Sequence, residues 1–426
     1  MSQMKRPSTA APEQSGSAAP RVKVLHLITY FPIFHGAQEN TCLTVNYHDK
    51  SRYAVWLGTQ PGGSLLSSVQ GDVHIALIPH LQRAIHPVKD ARAFWEIYRL
   101  CRRERFTIVH THISKAGVLG RLAAWLAGTP IIVHTVHTIS FQASESRWVN
   151  RFYLWLEKLC APITSKFLVV SQLNTDKHLE ARIGKPKQYQ VVYSGVDVER
   201  IQALRYGPET VRANFGVPAD HRLVVWIGRL AYQKDPQCFV RAAAALCREI
   251  PDVTCLMVGD GPLRAEVQAL IDELGMRGRI IITGFRDDAP EILASASMLG
   301  HSSRFEGMGR VISEAMLLGV PVAGTAVDGV VEAIESGRRG GLLSPPEQPE
   351  QLAAAMRRLL EDRALVERLT TEGKTWAWAR FDAREMVRQI EAVYAEELRQ
   401  RGIPLPAGSA RAASSPAEPV VTPTRE

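Results

Sequence analysis

The sequence predicts an α/β protein of two doubly wound domains, each a parallel sheet flanked by helices. Three observations carry that expectation. Short apolar runs of strand length recur at residues 22–28, 54–57, 74–78, 108–110, 131–136 and 167–170, with helical runs at 90–104, 115–126 and 148–159 among them. This is the alternation of strands joined by crossover helices. The pattern then starts afresh after Tyr193-Ser194-Gly195-Val196-Asp197, with runs at 223–228, 254–258, 280–283 and 320–324. Finally, 426 residues exceed what one hydrophobic core normally serves.

Composition narrows the function classes. Hydrophobic content of 46% with 22% charged residues describes an ordinary globular chain, neither disordered nor membrane-embedded. The longest apolar stretch, 122–133, is broken by Gly128-Thr129-Pro130 and is too short to span a bilayer. The first twenty residues are rich in Ser, Ala and Pro and lack an apolar core, so no signal peptide is expected. Six cysteines without CxxC or CxH spacing read as reduced core residues of a cytoplasmic protein. A net charge of +8 calls for an anionic partner: nucleic acid, an anionic membrane surface or a polyanionic ligand. No zinc-finger or RNP-type pattern is present, so no nucleic-acid partner is expected. The expected organisation is a disordered tail at 1–20, domains at 21–195 and 196–380, a crossing helix at 381–401, and a second tail at 402–426.

The stretch that organises the chemistry runs from Gly300 to Met316. Glu306 and Glu314 bracket seven residues that begin Gly307-Met308-Gly309 and continue as an apolar helix up to Gly319-Val320-Pro321. Glycines ahead of a helix let a ligand approach the backbone, and the free N–H groups of the first turn favour a phosphate. Glu306 falls in the loop and Glu314 roughly two turns later on a similar face. Taken alone, two acids at this spacing are more often solvated residues of a capped amphipathic helix.

Their company changes that balance. Several strands of the second half end in glycine: Gly228 before Arg229 and Lys234, Gly259 with Gly261, and Gly284 before Phe285. A cationic pair beside glycine loops and a helix N-terminus is suited to a diphosphate. In the first half, His110 and His112 end one predicted strand and His134 and His137 the next, which points to a cleft; no carboxylate stands at ligand spacing, so no metal site is expected. Gly36 after the first strand stands alone rather than in a GxGxxG fingerprint, which disfavours a nicotinamide dehydrogenase. The segment 83–106 sets seven Arg and Lys residues among Phe94, Trp95 and Tyr98. It reads equally as a membrane-surface helix or as a crossover helix with a solvated basic face. Apolar positions Met386, Ile390, Val393 and Tyr394 give the last helix a docking stripe.

Over residues 21 to 400 the chain resembles the retaining glycosyltransferases of family 4, with the GT-B fold of two Rossmann-like domains facing across a cleft. The resemblance rests on Gly228-Arg229-Leu230 with Lys234, on Val258-Gly259-Asp260-Gly261-Pro262, and on Glu306-x7-Glu314 continuing into Gly319-Val320-Pro321-Val322. It implies that Arg229 and Lys234 hold the donor diphosphate, Glu306 the donor sugar and Glu314 the ribose. It also implies that Gly36 closes on the phosphates and that His137 contacts the sugar near the reacting centre. Gly259, Gly261, Phe285, Gly307, Gly309 and Val311 complete the expected donor set, and His112 with Lys115-Ala116-Gly117 resembles an acceptor-side loop. His35 before Gly36, and Met308 between two glycines, depart from the usual pattern and leave the sugar open. The implied reaction is retaining transfer from a nucleotide sugar, expected to be a UDP-sugar, without a metal cofactor. The acceptor would be a saccharide or a lipid-linked molecule of cell-surface polysaccharide or glycolipid synthesis, reached from the cytoplasm with possible peripheral contact on an anionic membrane. A sugar-nucleotide epimerase of the same fold and a non-catalytic nucleotide-sugar-binding protein are the alternatives.

Overall fold

The computed structural model describes residues 20–30, 36–142 and 146–408. Most of both expected tails, and His35 ahead of Gly36, lie outside the described residues.

Two wholly parallel sheets form the body. The first comprises β1 (Val22–Leu27), β2 (Tyr53–Thr59), β3 (Val73–Leu77), β4 (Ile108–His112), β5 (Ile131–Val136), β6 (Lys166–Val169) and β7 (Tyr189–Val191), ordered β3-β2-β1-β4-β5-β6-β7. The second comprises β8 (Arg222–Ile227), β9 (Val253–Val258), β10 (Ile280–Gly284), β11 (Met298–His301), β12 (Val322–Thr325) and β13 (Gly341–Ser344), ordered β10-β9-β8-β11-β12-β13. Each order reverses once, between β1 and β4 and between β8 and β11, and a doubly wound sheet gathers its ligands beyond the strand ends at such a point. Strands buried on both faces read as unbroken apolar runs, which is why the central ones were visible in the sequence. The outer strands β7 and β13 are three and four residues long and gave no such run.

The last helix, Ala383–Gln400, crosses back to the first sheet. Met386, Val387, Ile390, Tyr394 and Leu398 pack with Val22, Val24, Val55 and Ile108 in one core. The predicted stripe faces that core, with Val393 at its margin. The two chain passages between the sheets lie side by side. Val196 N–H donates to the Phe381 carbonyl at 2.7 Å and Ala383 N–H to the Val196 carbonyl at 3.1 Å. A Cβ on Gly195 would sit 2.5 Å from Ala383 Cα, so only glycine permits this contact. Residues 402–408, which composition assigns to the tail, continue onto the first sheet. Ile403 and Leu405 pack at its core, and Arg52 Nε donates to the Pro406 carbonyl at 3.2 Å.

Candidate active site

The loops after β8 and β11 meet above the switch point of the second sheet, and that places Lys234 against Glu306. Ser302 ties the two loops together: its hydroxyl lies 2.8 Å from the Lys234 carbonyl and accepts the Trp226 indole N–H at 3.1 Å. Asp235, in the left-handed region at φ 44°, caps the Pro236–Glu249 helix through the Cys238 N–H and is held by Arg304 at 3.0 Å. Lys234 Nζ then pairs directly with Glu306 Oε1. Ser303 donates its hydroxyl to the same oxygen at 2.8 Å, and His301 Nε2 lies 3.4 Å away. Burial works against a charge on Glu306, but Lys234 and His301 outweigh it and hold the carboxyl well below the usual range. The Glu306 backbone N–H is fixed by Asp328 Oδ2 at 2.9 Å.

The Arg310–Leu318 helix begins immediately beyond, behind Gly309 at φ 72°. Glu314 therefore lies just over one turn inside the helix and has a partner set of its own. Arg310 Nη2 stands 3.4 Å from Glu314 Oε1 and 2.8 Å from Glu39 Oε1. Glu39 belongs to the Gly36–Tyr47 helix after β1, so Arg310 links the two halves at the helix mouth. Its Nε and Nη1 are buried without a partner among the described residues. Burial raises the Glu314 carboxyl to about 7, with Arg310 opposing and Glu39 adding to the rise. Sequence reasoning missed Arg310 and Glu39. The only local signal was a cation at the first helical position after the glycine pair.

The two halves also touch through Gly307. A Cβ there would lie 1.8 Å from the His137 carbonyl oxygen, so the loop after β5 sits directly on the loop carrying Glu306. Gly36 lies on the same side, where a Cβ would meet Arg310 Cδ at 3.7 Å. Arg229 is exposed; partial burial and repulsion from Arg83 lower its pKa. Phe285 presents an exposed ring beyond β10. The Val311 side chain packs in the apolar core.

Two groups of predicted residues are explained otherwise. Gly259 and Gly261 are pressed against backbone: a Cβ on either would strike the Gly228 carbonyl at 1.8 Å or the Leu230 carbonyl at 2.4 Å. Their glycine identity follows from packing between the loops after β8 and β9. The strand-end histidines do not line an open cleft together. His110, His112 and His134 are fully buried, because β4 and β5 run on through them, and only His137 is partly exposed. Gly117 packs onto the His134 ring, and Lys115 is tied to Asp90 within the first half.

Family models for Glycosyltransferase Family 4 match residues 23–200, and for Glycosyl transferases group 1 residues 208–376. A 2-deoxystreptamine glucosyltransferase of Streptomyces kanamyceticus is 30% identical over 301 residues, 67% of this chain and 76% of that protein. The chain belongs to the family 4 glycosyltransferases. Another relative of this glycosyltransferase, 28% identical over 72% of the chain and 80% of its own length, is the UDP-Gal:alpha-D-GlcNAc-diphosphoundecaprenol alpha-1,3-galactosyltransferase of Escherichia coli. The Anabaena protein Alr3699/HepE, solved with UDP-glucose, shares the fold at a TM-score of 0.74 and 23% identity, covering 88% of this chain and all of the other. A glycosyltransferase of lipopolysaccharide biosynthesis, WaaG, superposes at 0.71 and 18% identity over 87% of this chain and 99% of its own. The fold is thus that of the GT-B glycosyltransferases, with the Lys234–Glu306 pair and the Arg310–Leu318 helix N-terminus at the switch point of the second half.

One pH dependence follows for this glycosyltransferase if Glu314 takes the ribose hydroxyls. Hydroxyl donors bind a carboxylate better than a neutral acid, and a carboxyl titrating at about 7 is half neutral there. Nucleotide-sugar affinity is therefore expected to rise by roughly tenfold between pH 6 and pH 8. The charged groups acting on Glu314 are Arg310, Glu39 and Arg200. Calorimetric titration with a UDP-sugar should show the rise in wild type and a flat profile in Glu314→Gln.

Proposed function

We propose that this glycosyltransferase retains the anomeric configuration of a UDP-sugar and delivers the sugar to a lipid-linked acceptor at an anionic membrane surface. The donor reading is supported by the Lys234–Glu306 pair beside a helix N-terminus, and by a relative named for UDP-Gal. In this reading the bond from the anomeric carbon to the diphosphate oxygen breaks with its electron pair leaving on UDP. The acceptor oxygen bonds the anomeric carbon from the same face, and its proton passes to the departing phosphate oxygen. Lys234, Arg229 and the N–H groups of the Arg310–Leu318 helix stabilise the charge that grows on UDP, which lowers the transition state more than the ground state. Two cations there take the part a divalent metal plays elsewhere. Glu306 holds Lys234 in place, and takes the sugar together with His137.

The single observation that carries the lipid reading is an exposed aromatic face on the Arg147–Cys160 helix. Trp148, Val149, Phe152, Trp155 and Leu159 are all exposed, Trp148 by 79%. Arg147, Arg151 and Lys158 are exposed on the same helix, and Arg151 lies over the Trp148 ring at 5.8 Å. Trp125 and Leu126, at the end of the Ser114–Leu126 helix packed beside it, are exposed too. Aromatic side chains rimmed by cations suit the headgroup region of an anionic bilayer. The sequence left 83–106 equally open as a membrane-surface helix or a crossover helix with a solvated basic face. The Pro87–Glu104 helix buries Ala93, Ile97 and Leu100 and half-buries Phe94 and Tyr98, leaving Val88 and Trp95 exposed beside its basic residues. In this reading the contact is peripheral, at the inner face of the cytoplasmic membrane; among the described residues no helix is long and apolar enough to cross a membrane.

Flotation tests this reading. Wild type is expected to float with phosphatidylcholine vesicles containing phosphatidylglycerol and to stay behind with phosphatidylcholine alone. The variant Trp148→Ser, Phe152→Ser, Trp155→Ser should lose roughly tenfold or more in partitioning, since each buried aromatic ring is worth about 1.5–3 kcal/mol. Equal flotation of the variant would reject the surface.

A further inference from the structure

Beneath His137 the first sheet holds a continuous file of imidazoles that ends on a carboxylate. Two-residue periodicity puts His110 and His112 on one face of β4, and the register pairs His26 of β1 with His110, so three histidines share that face. His48, just beyond the Gly36–Tyr47 helix, and Glu391, on the Ala383–Gln400 helix, cover it. Glu391 Oε1 lies 2.8 Å from His48 Nδ1; His48 Nε2 lies 2.9 Å from His26 Nε2; His26 Nδ1 lies 3.1 Å from His112 Nε2; and His112 Nδ1 lies 3.2 Å from His137 Nε2. His26, His48 and His112 are at most 1% exposed, and each uses both ring nitrogens inside the file. His110 stands beside the file, stacked on His112 and bonded instead to Tyr394 and to Thr135 Oγ1 at 2.6 Å.

The direction of every bond follows from the far end. Glu391 Oε1 already accepts the Asp49 backbone N–H at 2.8 Å, so it accepts from His48 as well. A neutral imidazole has one N–H and one lone pair. His48 therefore donates from Nδ1 and accepts at Nε2, His26 donates from Nε2 and accepts at Nδ1, and His112 donates from Nε2 and accepts at Nδ1. His137 is left with its proton on Nε2 and a lone pair on Nδ1, a nitrogen with no partner among the described residues. Burial disfavours the charged form of all four rings, so the file stays neutral with one polarity. We propose that Glu391, through His48, His26 and His112, fixes the tautomer of His137 so that Nδ1 faces the substrate as a hydrogen-bond acceptor for a sugar or acceptor hydroxyl. These four are positioning residues, and the proposal concerns the state of His137 before any substrate binds. Only the effect on turnover rests on the glycosyl-transfer reading.

Nitrogen-15 correlation spectra of histidine-labelled protein at neutral pH test the tautomer directly, because a protonated and a lone-pair ring nitrogen resonate far apart. His137, assigned by comparison with His137→Asn, is expected to carry its proton on Nε2 in wild type. Glu391→Ala should mix the two forms and lower kcat by roughly 10- to 100-fold with KM for the donor changing far less, as when a ring-orienting group is lost. Glu391→Gln should restore both the spectrum and the rate, since an amide oxygen can accept the same two donors. A wild-type His137 protonated on Nδ1 overturns the proposal, whether or not any variant folds. So does a Glu391→Ala protein that folds and keeps both tautomer and rate, and a dead Glu391→Gln would replace positioning by proton uptake at the carboxylate. An intact tautomer without sugar transfer would count against the glycosyl-transfer reading alone.

Discussion

Lys234→Ala is expected to lower turnover of the donor by roughly 100- to 1,000-fold, the usual cost of removing one preorganised group from the site of developing charge. The expectation follows from what the side chain touches. Lys234 is held by a loop anchored at Ser302 and Asp235, and it pairs with a carboxylate that is itself only 7% exposed. Without the ammonium, Glu306 keeps Ser303 and His301 but loses its main compensation for burial. In the proposed mechanism, stabilisation of the leaving diphosphate and ionisation of Glu306 suffer together. The loss should appear in kcat more than in KM, because the charge being stabilised grows only as the bond breaks. Steady-state release of nucleoside diphosphate measures it, and a parallel melting curve separates it from unfolding. Lys234→Ala together with Glu306→Gln should lose little more than either alone, since the two groups act as a unit. Independent, multiplying losses would separate them.

A second large effect concerns the foundation of the aromatic helix. Glu157 is its buried anchor: Oε2 lies 2.8 Å from Arg121 Nη2, with the two side chains 3% and 0% exposed. Arg121 also donates from Nε to the Gly117 carbonyl at 2.9 Å and lies 5.8 Å from the Phe167 ring centre. Glu157→Ala leaves that guanidinium buried and uncompensated, a loss of about 3–5 kcal/mol. Urea unfolding of the variant should show a markedly lower midpoint. Replacing both residues by leucine should recover most of it, because desolvating the pair nearly cancels its attraction. If Glu157→Ala unfolds with wild type, the ion pair is not what holds the helix to the Ser114–Leu126 helix beneath it.

The sequence displayed the parts of the site that lie within one or two loops. Lys234 follows Gly228 closely and Glu306 precedes its helix closely, so both announced themselves by local pattern, and the apolar runs of the central strands announced the sheets. What it hid were relations set by tertiary register. Arg310 reaches Glu39 across the cleft, and His48 reaches Glu391 on a helix more than three hundred residues away. Nothing in either neighbourhood marks its partner. Glycine was an ambiguous signal for a different reason: it reports close approach without saying of what. At Gly307 the neighbour is the His137 carbonyl of the opposite half, and at Gly259 and Gly261 it is the chain's own backbone. The histidines misled by position, since a strand end can continue into the core, as β4 does through His110 and His112.

In the proposed reaction a UDP-sugar is cleaved at the Lys234–Glu306 site and its sugar passes to an acceptor found in membranes. The most direct test is nucleoside diphosphate release from a panel of UDP-, GDP- and ADP-sugars, with and without membrane extract, for wild type and Glu306→Ala. Release from one UDP-sugar that depends on the extract and disappears in Glu306→Ala is the predicted result. Release that ignores the extract, or survives in Glu306→Ala, would contradict it.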